Sequence, residues 1–221
     1  RPTAGAVYYN EDDFFRHFDT YRAAIGYVPQ RDIVHEQLTV AEALDYAVRL
    51  RLRGDTSAQE ARDRVEEVLE QVELSTCRHE RIGRLSGGQH KRVNLGVELV
   101  ARPSVLFLDE ATSGLDAGAD LEMMSLFRRV ADEGRTVICV THNVEYVEDQ
   151  CNLAVLLHQG RLVFFGPPSE MLSHFRINRM CQVYGRLKEK PGEHWVHAYA
   201  KTAWHRDYLS KRLEKHAARR R

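Results

Sequence analysis

Long apolar runs are missing from this sequence. No stretch approaches the roughly eighteen apolar residues that a membrane-crossing helix needs. An excess of one charge is missing too. Lys plus Arg and Asp plus Glu stand at 32 each, so bulk charge points to no polyanionic partner and no nucleic acid is expected. The four cysteines, Cys77, Cys139, Cys151 and Cys181, make no C-x-x-C pair. Neither a zinc site nor a disulfide is expected from them, the compartment reads as reducing, and Cys139 reads as a small core residue. The eleven histidines are scattered without ligand spacing and read as ordinary surface or core residues. At the start, Arg1-Pro2-Thr3-Ala4-Gly5 is followed by no apolar run and contains no Met. It does not read as a signal peptide, and a piece of a longer chain is expected.

What is present suits a globular α/β domain. The 221 residues are 43% hydrophobic and 29% charged, enough for a sizeable core. Residues 6–9 and 24–28 read as short strands, the second ended by Pro29 with Gln30 at its edge. Thr39-Val40-Ala41-Glu42 and Ser57-Ala58-Gln59-Glu60 are capping-box sequences, where hydroxyl and carboxylate reciprocally satisfy free backbone N–H groups. Each precedes a helical stripe: Val40, Leu44, Ala47 and Val48, then Ala61, Val65, Val68, Leu69 and Val72. Ser86-Gly87-Gly88-Gln89 opens a third helix with Val93, Gly96, Val97 and Val100 inward, closed by Pro103. Val105–Leu108 and Thr136–Val140 read as strands buried on both faces. The helix between them carries Leu121, Met124, Phe127, Val130 and Ala131 on one side, and this order implies a parallel sheet with a crossover helix. Leu153–Leu157 and Arg161–Phe165 read as a hairpin, and a short helix runs on to Phe175.

Four features carry chemistry. Val105–Leu108 ends in Asp109-Glu110, and the carboxyl ends of parallel strands are where α/β folds bind ligands. One carboxylate can hold Mg²⁺, which keeps most of its waters, and the next can orient or deprotonate an attacking water. Ser86-Gly87-Gly88 stands at a helix N-terminus, where backbone N–H groups and the dipole favour an anion, although an ordinary Ser cap after a glycine-rich turn has the same sequence. His142, just beyond the strand Thr136–Val140, can donate to a terminal phosphate. Gln30 can reach a metal-bound water with its amide.

The order is more specific than any one feature. Gln30, Leu85–Gln89, Asp109-Glu110, Ser113-Gly114-Leu115-Asp116 and His142 follow one another as do the Q-loop, signature, Walker B, D-loop and H-loop of ABC ATPases. Residues 1–175 resemble that family. The fold so implied is α/β, a P-loop NTPase-like and mainly parallel sheet with an inserted α-helical signature subdomain at about 34–100. The resemblance implies ATP and Mg²⁺ as ligands. It makes Glu110 the general base or water-positioning carboxylate, Asp109 the Mg²⁺ partner, Gln30 the link between metal, water and the transporter-facing surface, and His142 the γ-phosphate contact. Ser86, Gly87, Gly88 and Gln89 would meet ATP held by a second ABC domain in a head-to-tail dimer, with Asp116 at that interface. The run Gly83–Leu99, Ser113–Asp116 and Leu38–Leu44 are similar to White-type (subfamily G) exporters, whereas Gln89 stands where that group often has Glu and Ala111 where Pro is common.

That resemblance implies the ATPase part of a membrane exporter at the cytoplasmic face, working on a fused or separate transmembrane domain. The family's phosphate loop, G-x-x-x-x-G-K-[ST], does not occur in the sequence. Truncation is the simplest expectation, and with it no ATP hydrolysis by this piece alone. A soluble ABC protein of translation or DNA repair is the alternative. Between Gln30 and Leu85 there is room only for a compact helical subdomain without sustained heptads, which favours the transporter. A non-catalytic remnant is the third reading, opposed by Glu110 and His142. Residues 176–221 carry thirteen Lys or Arg against Glu189, Glu193, Asp207 and Glu214. They read as a basic linker or extension toward a membrane domain, suited to anionic head groups or simply solvated.

Overall fold

A computed structural model describes residues 2–52 and 54–218. The basic run Arg219-Arg220-Arg221 lies outside the described residues. The chain divides into two compact units, Arg1–His142 and Asn143–Arg221. This contact boundary precedes the hairpin, whereas the compositional shift lies after Phe175.

In the first unit, Asn10 and Glu11, both at positive φ, turn β1 (Tyr8–Tyr9) back onto β2 (Asp12–Asp13). The expected strand at 6–9 is therefore one arm of a two-residue hairpin. A single helical turn, α1 (Phe18–Tyr21), leads toward β3 (Ile25–Val28). The sheet is parallel in the order β3-β4-β5, with β4 at Val105–Asp109 and β5 at Thr136–Val140. Gly26 allows β3 to lie close to its neighbours. A Cβ there would come within 2.8 Å of Leu106 Cδ1 and 3.1 Å of Pro103 Cγ.

Both strands expected to be buried on two faces show alternation instead. Leu106 and Leu108 are buried, while Val105 and Phe107 are only partly covered. On β5 Ile138 and Val140 are exposed and Cys139 is half-buried, so Cys77 is the core cysteine. Crossover helix α5 (Ala117–Asp132) buries Met123, Met124, Leu126, Phe127 and Val130, whereas Leu121, expected inward, is exposed.

Three helices form the lobe inserted between β3 and β4. Thr39 and Ser57 cap α2 (Val40–Arg51) and α3 (Ala58–Gln71) through complete capping boxes with Glu42 and Glu60. Their apolar faces are buried at Val40, Ala43, Leu44, Ala47 and Val48, and at Val65, Val68 and Leu69. A fully buried aliphatic side chain contributes about 1.5–3 kcal/mol. Helix α4 (Gly87–Leu99) crosses both, and Gly96 marks the crossing: a Cβ there would stand 3.1 Å from Leu44 Cδ2 and 3.3 Å from Val68 Cγ1. Val93 and Val100 are inward as expected, Val97 is half-buried, and Leu95 and Leu99 are buried on other sides, so α4 is enclosed nearly all round.

The second unit starts with the short α6 (Val147–Gln150) and a hairpin of β6 (Ala154–His158) with β7 (Arg161–Gly166). Gln159 and Gly160 turn it with positive φ. Helix α7 (Pro168–Phe175) ends at Arg176 in the left-handed conformation. Beyond Phe175 the chain stays folded in α8 (Val183–Lys188), α9 (Gly192–Ala200) and α10 (Lys211–Ala218). Met180, Val183, Leu187, Trp195 and Tyr199 join Val163, Phe164, Met171 and Phe175 in one core. Trp195 donates its indole N–H to Leu187 O at 3.2 Å, and Tyr199 its hydroxyl to Phe165 O at 2.9 Å. Among the described residues the Lys and Arg side chains of this stretch are exposed outside an aromatic core, except Arg186, which is half-buried and donates its Nε–H to Phe175 O at 3.0 Å.

Candidate functional site

The site is built at the carboxyl ends of β3, β4 and β5. In-register pairing sets Asp109 opposite Val140 and Leu108 opposite Val28. Glu110 then leaves the strand at φ +47 while its N–H donates to Val140 O at 2.9 Å. A left-handed glutamate is uncommon and is sustained only where its surroundings hold it. Here the Val140 carbonyl holds one side, and the turn closed by Ser113 N–H donating to Glu110 O at 2.9 Å holds the other.

Three of the expected residues converge. Gln30 Nε2 donates to Glu110 Oε2 at 2.8 Å, and His142 Nδ1 lies 3.4 Å from the same oxygen. Glu110 is partly exposed, so water can reach it. Asp109 stands beside it, and one of its oxygens accepts the Tyr27 hydroxyl at 3.0 Å. That carboxylate holds the Tyr27 phenol above its ordinary pKa. Composition and spacing did not single out Tyr27. Its signal is positional: it lies three residues before Gln30 and opposite Phe107 in register, so it reaches the same strand end.

The remaining expected residues stand at two helix N-termini. Ser86 caps α4, accepting from Gln89 N–H at 3.3 Å, and Gln89 Oε1 returns to Ser86 N–H at 2.9 Å. Gln89 thus completes the cap of its own helix. The first N–H groups of a helix have no partner one turn earlier, which leaves those of Gly87 and Gly88 at the exposed end. Asp116 caps α5, accepting from Ala119 N–H at 3.0 Å. The two ends adjoin: a Cβ on Gly87 would lie 3.4 Å from Leu115 Cδ2, and one on Gly88 3.6 Å from Ala119 Cβ.

Among the described residues no group of three or more His, Cys, Asp or Glu side chains could hold a metal by itself. Mg²⁺ requires less, one or two carboxylates with water and phosphate, and Asp109 supplies one such carboxylate at the end of β4. The arrangement can orient a water at Glu110 and set a cation beside it.

The family model for ABC transporters matches residues 1–113. The chain is 39% identical over 191 residues to the ABC transporter ATP-binding/permease protein Rv1747 of Mycobacterium tuberculosis, covering 86% of this chain and 22% of that protein. It is 35% identical over 179 residues to ABC transporter G family member 22 of Arabidopsis thaliana, with 78% and 23% covered. It is 34% identical over 171 residues to the broad substrate specificity ATP-binding cassette transporter ABCG2 of Bos taurus, with 74% and 26% covered. The chain therefore spans about a quarter or less of the length of these curated relatives. No helix among the described residues is long and apolar enough to cross a membrane.

Proposed function

The chain belongs to the ABC transporter family, as an ATP-binding domain similar to its G-type members, and we propose that it is the hydrolytic part of an exporter at the cytoplasmic face of a membrane. The supporting observation is the shared contact at Glu110: one carboxylate oxygen is met by Gln30 and His142 at the carboxyl end of β4. Glu110 orients the attacking water and takes its proton. His142 donates to the terminal phosphate, and Gln30 ties the water to the loop that leaves β3. Asp109 would hold Mg²⁺, which neutralises phosphate charge when bound.

Ser86, Gly87 and Gly88 present the N-terminus of α4 to ATP on a second ABC domain, and Asp116 faces that partner. The family's phosphate loop is absent from the 221 residues, so this chain alone does not turn ATP over. ATP-driven dimer closure then acts on a transmembrane domain, toward which 176–221 leads.

The test is Glu110→Gln in the intact protein. Purified variant should bind ATP, accumulate a nucleotide-bound dimer in size-exclusion chromatography, and hydrolyse about 10²–10⁴-fold more slowly. Undiminished turnover removes Glu110 from this role. Appreciable Mg²⁺-dependent turnover by the isolated 221 residues refutes the dependence on a phosphate loop.

A further inference from the structure

Helix α4 is enclosed by apolar neighbours, yet Lys91, Asn94 and Glu98 are all buried in it. Their spacing, i, i+3 and i+7, puts them on one face. That face meets the segment carrying Gln30, and each of the three residues makes a contact to its backbone. Glu98 Oε2 accepts from Tyr27 N–H at 3.1 Å. Lys91 Nζ donates to Gln30 O at 3.3 Å and to Asp32 Oδ1 at 3.1 Å. Asn94 Oδ1 accepts from Ile33 N–H at 3.2 Å. Three attachments, at residues 27, 30 and 33, thus bracket Gln30 on both sides.

Each attachment is secured from behind. Both carboxylate oxygens of Glu98 are met by Arg51 at the end of α2, Nη1 at 2.6 Å from Oε2. Asn94 Nδ2 donates to His90 O at 3.1 Å, and His90 Nδ1 lies 3.2 Å from Asp32 Oδ2. The backbone supplies the need: β3 pairs with β4 on one side only, so the Tyr27 N–H and the groups of the loop after Val28 would otherwise lack strand partners. Burying a lysine and a glutamate is expensive, and an apolar stripe often packs as well or better. Packing alone therefore does not account for the stripe.

We propose that Lys91, Asn94 and Glu98 are positioning residues for Gln30. They dock the Gln30 segment on the helix that Ser86-Gly87-Gly88 opens. Because the stripe grips main chain, the Gln30 side chain is left to meet Glu110 at 2.8 Å. The start of α4 and the Gln30 amide then move as one body, so displacement at one end is felt at the other. A displacement of about 1 Å at a reacting water costs as much as a hundredfold in rate. This rests on the reading of Glu110 as the hydrolytic carboxylate.

The experiment compares Lys91→Met, Asn94→Leu, Asn94→Asp and Asp32→Asn in the intact protein, with Glu110→Gln alongside. Lys91→Met and Asn94→Leu should lower kcat roughly ten- to a hundredfold while KM for ATP stays within about twofold. Asn94→Asp keeps the oxygen that accepts Ile33 N–H but loses the donor to His90 O, and should recover only part of kcat. Asp32→Asn changes a partly exposed partner of Lys91 and His90 and should lower kcat by a smaller factor. Hydrogen exchange at Ile33 should quicken in Asn94→Leu with α2 and α3 amides unchanged.

Wild-type kcat in Lys91→Met, Asn94→Leu and Asp32→Asn, with Glu110→Gln inactive, overturns the stripe and leaves the hydrolytic reading intact. An active Glu110→Gln overturns that reading itself. A loss of kcat that tracks a loss of folded protein, with Asp32→Asn fully active, also overturns the proposal, because the stripe would then only stabilise the fold.

Discussion

The two units bury different kinds of side chain. In Arg1–His142 the interior includes Arg64, Lys91, Arg92, Asn94, Glu98, Thr112 and Asp120. In Asn143–Arg221 the buried set, among the described residues, is aliphatic and aromatic, centred on Phe164, Phe175, Trp195 and Tyr199. The first unit holds every candidate site residue and spends buried charge on fixing loops and helix ends. Arg64, for example, donates its Nε–H to Val100 O at 3.0 Å at the end of α4. The second unit closes around rings. Polar burial here accompanies positioning, and aromatic burial accompanies simple stability.

That contrast can be broken, beginning with the largest effect. Replacing His142 by Ala should lower turnover of the intact protein about 10²–10³-fold, with the thermal midpoints of both units unmoved. A melting shift without a rate effect would make His142 a structural residue. Next, Phe164→Ala should cost the second unit about 3–5 kcal/mol. Both tryptophans, Trp195 and Trp204, lie in that unit, so intrinsic fluorescence isolates its transition. A shift seen in circular dichroism but not in fluorescence would contradict the assignment. Third, Ser57→Ala removes a cap of α3 and should cost about 1 kcal/mol, leaving the fluorescence transition where it was.

The smallest effect sharpens the contrast through pH. Burial pushes His174, beside Phe164 and Phe175, below the ordinary histidine value. A group depressed in this sense binds its proton more readily when unfolded. Its contribution is full above the unfolded value of about 6.5 and is lost as pH falls below it. In the first unit the Arg92 hydrogen bond holds Glu73 below its ordinary value, and Arg129 adds to the effect. That contribution is full above about pH 4.3 and declines only below it. Acidification should therefore loosen the tryptophan-bearing unit first. His174→Phe should remove the earlier step in a fluorescence titration, and Arg92→Met should flatten the later one, followed by circular dichroism because the first unit holds no tryptophan.

Much of this was legible in the residues, for local reasons. Capping boxes at Thr39 and Ser57 satisfy backbone within four residues and need nothing distant. The order from Gln30 to His142 carried the family, because each motif is a short string. Distant partners carried no such mark. Nothing in sequence ties Tyr27 to Asp109, eighty-two positions away, or Glu98 to the Tyr27 N–H, and only strand register and the crossing of α4 bring them together. Leu121 was misjudged because helical periodicity alone does not say how wide the covered arc of α5 is. The stretch after Phe175 read as a basic tail since charge dominates its composition, while few aromatic rings decide its packing.

By itself, then, the sequence determined the main elements from β3 to α7, the caps at Thr39, Ser57 and Ser86, the parallel sense of the sheet and the chemical types that reach the strand ends. Each follows from periodicity and short-range hydrogen bonding. Only the tertiary structure decided which oxygen of Glu110 meets both Gln30 and His142, how Lys91, Asn94 and Glu98 grip the Gln30 backbone, and where the interior turns from charged to aromatic. Those outcomes depend on register and helix crossing, which join residues too far apart in the chain for any local pattern to specify.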